Sequence, residues 1–178
     1  MDLTERTLSS REIYSGKIVR LRLDEVRLPN GEIARREIIE HPGGVGILAL
    51  DAEGRVPLVR QYRCAFSRVL TEIPAGKLEP GEQDPLSAAR RELREEVGAE
   101  AARWDDLGTL LPSPGCYGEV LHLYLARNLT FGDRHPDPDE FLEVEYVSFH
   151  ELLSRCMRDE LHDAKTVAAV LKVHCLLG

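Results

Sequence analysis

The sequence predicts an α/β protein, and three observations carry that prediction. Within the first sixty residues, 18–23 and 33–39 alternate apolar with charged side chains, as half-buried strands do. The run Val45-Gly46-Ile47-Leu48-Ala49-Leu50 is apolar throughout, as a strand buried on both faces must be. A sharply marked helix begins after Asp84. At 178 residues the chain can bury a full hydrophobic core as one domain with a small elaboration.

Residues 18–23 and 33–39 are the first expected strands, and Pro29-Asn30-Gly31 between them reads as a hairpin turn. The apolar run at 45–50, a turn at 51–54 and a strand at 56–63 follow as parts of the central sheet. Residues 75–84 hold Gly76, Pro80 and Gly81, too many breakers for regular structure. Asp84 is the expected N-cap and Pro85 the first helical residue, and the helix runs to Val97 with Gly98 closing it. Leu86, Ala89, Leu93 and Val97 recur every three or four residues, so one face is buried and the charges lie elsewhere. Strands are expected at 107–111 and 120–126, separated by the loop Pro112-Ser113-Pro114-Gly115. The acidic, proline-rich stretch 132–140 reads as an exposed loop, followed by a strand at 144–149 and a last helix from about Asp163 to Leu177.

The 31 acidic against 23 basic residues give a net charge of -8, which argues against a nucleic-acid backbone or an anionic membrane surface as the main partner. The cysteines Cys64, Cys116, Cys156 and Cys175 form no CxxC pair, so neither a zinc site nor a disulfide framework is indicated. A reducing compartment suits them. The polar N-terminus lacks an apolar core like that of a signal peptide, and no stretch is long enough to span a bilayer, so the expectation is a cytoplasmic protein.

The chemistry concentrates in Gly76-Lys-Leu-Glu-Pro-Gly-Glu82 and, after eight intervening residues, Arg91-Glu92-Leu93-Arg94-Glu95-Glu96-Val97-Gly98. On a helix Glu92, Glu95 and Glu96 are three and four apart, so their carboxylates converge on one face. Such hard oxygen donors suit magnesium or manganese bound together with phosphate oxygens. Taken alone, the run also reads as a solvated face on which Arg90, Arg91 and Arg94 offset the glutamates.

The whole frame resembles the Nudix box, in which a glycine, a glutamate after five intervening residues, and an Arg-Glu-aliphatic-x-Glu-Glu-x-Gly helix follow in order. The resemblance implies a Nudix fold, an α/β/α sandwich with a mixed central sheet plus a small N-terminal antiparallel sheet. It also implies water attack on a nucleoside diphosphate linked to a variable moiety. Glu92 and Glu96 would be the principal metal ligands and catalytic carboxylates, assisted by Glu95 and the backbone carbonyl of Ala75. Mg2+ is the default metal, with Mn2+ as substitute. Arg91 and Glu82 would form a supporting pair. Here one residue more than the family's spacing separates them, and a loop before Asp84 can absorb it.

Beyond the box, Arg36-Glu37-Ile38-Ile39-Glu40-His41-Pro42-Gly43, Val59-Arg60-Gln61-Tyr62-Arg63, Glu72-Ile73-Pro74-Ala75-Gly76, Pro114 and Asp163-Ala164-Lys165-Thr166 resemble the ADP-ribose pyrophosphatase branch. By that resemblance Arg36 and Arg63 contact substrate, and Glu140 in the acidic loop is the general base, ahead of Glu143 and Glu119. Arginine suits the first role because its fork of donors grips phosphate oxygens. Residues 1–41 would be strands that build a homodimer, and 42–178 the Nudix hydrolase domain. The reaction implied turns ADP-ribose into AMP and ribose 5-phosphate. Its rivals are GDP-mannose, NADH or a dinucleotide as substrate, or a non-catalytic domain that senses a nucleotide. Trp104 and Tyr117 read as packing residues, and Asp163 with Thr166 as a helix-start device.

Overall fold

A computed structural model of the protein describes residues 2–138 and 140–178. The chain divides into two compact units, one made of 1–43 with 111–120 and the other of 44–110 with 121–178. The stretch 111–120, which the sequence joins to the larger domain, thus groups with the N-terminal strands.

The smaller unit is an antiparallel sheet of β1 (Arg6–Ser15), β2 (Arg20–Arg27) and β3 (Ile33–Glu40), in that order. The hairpin between β2 and β3 closes as expected: Gly31, at φ 90°, donates to Leu28 O at 2.9 Å, and Leu28 N–H donates to Glu32 O at 2.8 Å. Strand β1 lies within the stretch expected to be strands, though nothing in its sequence marks its bounds. It is exposed along its whole length and shows no burial alternation, so only its ladder with β2 makes it a strand. The proline loop docks on β3, with Ile39 N–H donating to Cys116 O and Gly118 N–H to Ile39 O, both at 2.8 Å.

In the larger unit β4 (Gly44–Leu50) lies at the centre of a mixed four-stranded sheet. It pairs antiparallel with β7 (Ala75–Lys77) and parallel with β9 (Leu121–Phe131), whose far side takes β8 (Ala99–Leu110). A second, antiparallel sheet has the order β10 (Leu142–Ser148), β5 (Arg55–Arg63), β6 (Arg68–Glu72). Alternation along β4 and β9 sorts the core into two layers. Val45, Ile47, Ala49, Tyr124 and Ala126 pack with Ala88, Ala89, Leu93 and Val97 of the carboxylate-bearing helix. Leu48, Leu123 and Leu125 face the opposite way, toward Leu152 of α2 (Phe149–Met157) and Ala169, Val170 and Val173 of α3 (Ala164–Leu177). Helices on both faces of a mixed sheet are the α/β/α sandwich expected. Trp104 packs against the first layer, edge-on to Tyr124.

Three local expectations need correction. Residues 75–77 are strand β7, because three residues of ladder to β4 outweigh the glycine. The expected strand at 144–149 stops at Ser148, whose side chain accepts from Glu151 N–H and so caps α2. The carboxylate helix is α-helical only over α1 (Pro85–Glu92), and Leu93–Val97 form a π turn. No helix among the described residues is long and apolar enough to cross a membrane.

Candidate active site

The site grows from the start of α1. Asp84 accepts from Leu86 N–H at 3.1 Å and from Ser87 Oγ at 2.7 Å, which fixes where the helix begins and therefore its register. That register turns Ala88, Ala89 and Leu93 into the core and brings Glu92 with them, only 7 % exposed. The π turn then leaves Glu96 at 3 % exposed, while Gly98, at φ 70°, ends the element with its N–H shared by the Leu93 and Arg94 carbonyls. Single π turns of this kind recur at functional sites because they re-aim side chains within a helix.

Strand β7 forms the opposing wall. Ala75 N–H donates to Glu96 Oε2 at 3.0 Å. At Gly76 a Cβ would lie 1.8 Å from Glu92 Oε1, so glycine is what lets the strand pass over that carboxylate. Arg91 binds the cluster together: Nη1 donates to Glu92 Oε1 at 2.7 Å and Glu95 Oε2 at 3.1 Å, and Nη2 to Lys77 O at 3.2 Å and Glu82 Oε2 at 3.3 Å. The Glu82–Arg91 pair therefore forms across the longer spacing. Glu82 is steadied by accepting from Glu79 N–H at 3.0 Å.

Burial pushes the Glu96 carboxyl up to about 8, with the charges of Glu92 and Glu140 adding to it against the Ala75 N–H. Glu92 is raised too, by burial first and by the charges of Glu95 and Glu140, against the pull of Arg91. Among the described residues no three acidic, imidazole or thiol side chains form a ready-made metal cage. Glu92 and Glu95 converge on the Arg91 guanidinium instead. The donor chemistry nevertheless fits a hard divalent cation: the groups are carboxylate oxygens, and two belong to buried residues whose ionised form lacks sufficient positive charge.

Arg63 and Glu72 make a second charged cluster in the same unit. Arg63 Nε and Nη2 grip Glu72 Oε1 and Oε2 at 2.7 and 2.8 Å, and Lys165 Nζ bonds Glu72 from the other side. Burial disfavours the ionised Glu72, but the bonds from Arg63 and the charge of Lys165 outweigh it and hold its carboxyl at about 2. Asp163 caps α3 through Thr166 N–H at 2.9 Å, as the helix-start reading expects. Thr166 Oγ1 also accepts from Ile73 N–H at 2.8 Å. The Asp163-Ala164-Lys165-Thr166 segment thus anchors the strand that leads into Ala75, a role that only three-dimensional contacts reveal.

Arg36 stands on β3 in the smaller unit, with Nε and Nη2 on the two oxygens of Glu5 at 3.0 and 2.5 Å. It lines a cleft of about 420 Å3 with Arg35, Leu23, Glu37, Gly115 and Cys116. In the same unit Glu119 lies 3.3 Å from His41 Nδ1. Glu143, on β10, is paired with Arg60 at 2.7 Å.

Residues 40–170 match the NUDIX domain, and residues 5–39 match the nucleoside diphosphate sugar hydrolase N-terminal domain. The chain belongs to the Nudix family of hydrolases. It is 41 % identical over 170 residues to a protein of Bacillus subtilis (strain 168) named ADP-ribose pyrophosphatase, covering 94 % of this chain and 91 % of that one. A Bacillus methanolicus protein named methanol dehydrogenase activator is 40 % identical over 168 residues, 93 % of this chain and 90 % of its own. More distant is a GDP-mannose pyrophosphatase of Escherichia coli O139:H28 (strain E24377A / ETEC), 33 % identical over 150 residues and 78 % of each chain. A crystal structure of an ADP compounds hydrolase superposes with a TM-score of 0.86 at 21 % identity over 99 % of this chain and 96 % of that one, a likeness of fold.

Proposed function

We infer that the protein is a divalent-cation-dependent pyrophosphatase that hydrolyses ADP-ribose to AMP and ribose 5-phosphate. One observation carries the reading: buried Glu92 and Glu96 lie against Gly76 and Ala75 respectively, in a chain that is 41 % identical, over nearly its full length, to a protein named ADP-ribose pyrophosphatase. Glu92, Glu96, Glu95 and the Ala75 carbonyl would hold Mg2+, or Mn2+ in its place. When bound, such an ion supplies Lewis-acid polarisation of a phosphoryl oxygen and lowers the pKa of water.

Glu140 is the base in this reading, as the resemblance to the ADP-ribose pyrophosphatase branch implies, and its charge is felt at both Glu92 and Glu96. It takes a proton from water as the water oxygen bonds to one phosphorus and the bridging P–O bond breaks, so that the other phosphate leaves with the pair. Arg63 and Arg36 are the donors assigned to substrate phosphates or nucleotide, each held in orientation by a glutamate, Glu72 and Glu5 respectively. Arg91 orients Glu92 and Glu95 by donating to both.

The exposed apolar residues of β1 and its surroundings support a homodimer. Free cysteines among the described residues support a reducing, cytoplasmic setting. Initial rates on ADP-ribose, GDP-mannose, NADH and diadenosine polyphosphates with Mg2+ or Mn2+ test the substrate. ADP-ribose should show the highest kcat/KM. Higher kcat/KM on another member of the panel would displace it, and ADP-ribose binding without turnover of any substrate would make the domain a sensor.

A further inference from the structure

The loop after β9 is tied to the far end of the carboxylate helix within its first four residues. Gly132 N–H donates to Gly98 O at 2.7 Å, and His135 N–H donates to Glu95 O at 3.1 Å. Between them Arg134 Nε donates to Glu96 O at 2.7 Å. Carbonyls at a helix C-terminus have run out of intrahelical donors, and a cation there also meets the negative end of the helix dipole. Two of the three carbonyls belong to the carboxylate residues themselves, so the loop and the site share their backbone.

Gly98 permits the approach. A Cβ there would lie 2.6 Å from Gly132 O and 3.1 Å from Arg134 Cγ, in a residue whose φ of 70° already favours glycine. Farther along, Glu140 N–H donates to Asp137 O at 2.9 Å, a turn that starts the run into β10. Its carboxylate charge reaches both Glu92 and Glu96.

We propose that Arg134 is a positioning residue for the hydrolysis: by holding Glu96 O it locks the root of the 132–138 loop to the helix and keeps Glu140 directed at the Glu92 and Glu96 carboxylates. The proposal rests on the reading of Glu140 as base given above. In this role Arg134 acts through the loop and Glu140, by its bond to Glu96 O. Its side chain is exposed, so its removal leaves the core packing intact.

The test is a double-mutant cycle on the full chain with ADP-ribose and Mg2+, using Arg134→Ala, Arg134→Lys, Glu140→Gln and the Arg134→Ala/Glu140→Gln pair. Arg134→Ala should lower kcat about tenfold with KM within roughly twofold, since a small displacement of a catalytic group costs turnover rather than binding. Arg134→Lys, which keeps a cationic donor, should recover part of the loss. In the Glu140→Gln background Arg134→Ala should have no further effect, because both changes act on one step. In metal-free protein, exchange of the His135 amide should quicken about tenfold in Arg134→Ala and stay unchanged in Glu140→Gln. Wild-type kcat in Arg134→Ala, or the same loss in both backgrounds, overturns the proposal. Glu140→Gln at wild-type rate defeats the base reading and with it the route through Glu140. Unaltered His135 exchange in Arg134→Ala defeats the anchor itself.

Discussion

Gly76 shows how one residue decides the chemistry of the helix it faces. An added methyl would meet Glu92 Oε1 at 1.8 Å and Cδ at 1.9 Å, atoms at the end of a flexible side chain, so the fold can yield while the carboxylate cannot stay. Gly76→Ala should therefore lower kcat on the order of 10²-fold, the usual cost of an ångström of misplacement, with the thermal midpoint within a few degrees of wild type. Glu92→Gln and Glu96→Gln should lose at least as much, because each removes a charged donor. Steady-state rates beside melting curves check this, and near-normal turnover in any of the three would detach that residue from the mechanism. The spacing of these glutamates was legible because a helix repeats every three or four residues. The partners of Arg91 at Lys77 O and of Arg134 at Glu96 O were not, since no periodicity says where a backbone carbonyl faces.

Among the elements, the junction of β5, β6 and α3 rests on a buried ionic network whose sign predicts a pH dependence. Glu72 titrates near 2 in the fold against an ordinary 4.5, so the folded state binds fewer protons than the unfolded chain between those values. Stability from this group is fully present above about 4.5 and is lost as pH falls toward about 2, a few kcal/mol in all. Glu72→Gln should be markedly less stable than wild type at pH 7, where Arg63 and Lys165 lose their counter-charge, and the gap should narrow as the medium is acidified. Urea unfolding between pH 7 and the acid limb measures it; a gap independent of pH would assign the stability elsewhere. Elements with a strong local period, such as β4 and α1, were readable from the chain alone. Strand β1 was not, because its residues bury nothing and the ladder to β2 alone defines it, nor was α2, whose cap Ser148 also ends a strand. The π turn escaped for a related reason: its apolar residues keep helical spacing, and its form depends on Gly98 and on the loop donors that reach Glu95 and Glu96.

At the scale of the whole molecule the N-terminal sheet poses a problem of solvent. A three-stranded sheet is stable when one face is covered, yet every residue of β1 is exposed, including Leu8, Ile13 and Tyr14, with Ile18 and Ile33 exposed near by. A second copy covering this surface meets the requirement by symmetry, each chain presenting the same patch to the other. An interface of ordinary size removes about 800 Å2 from each partner, which a ten-residue strand with its neighbours can supply. Sedimentation equilibrium at micromolar concentration should therefore give twice the 20.0 kDa mass of one chain. Leu8→Glu and Ile13→Lys should shift the protein toward monomer, because a charge at either position would have to be desolvated unpaired. A wild-type protein that stays monomeric at tens of micromolar would refute the dimer. If dissociation of the variants also raised KM for ADP-ribose while kcat held, the N-terminal unit and its Arg36 would be contributing to substrate binding, whereas unchanged kinetics would confine the strands to assembly.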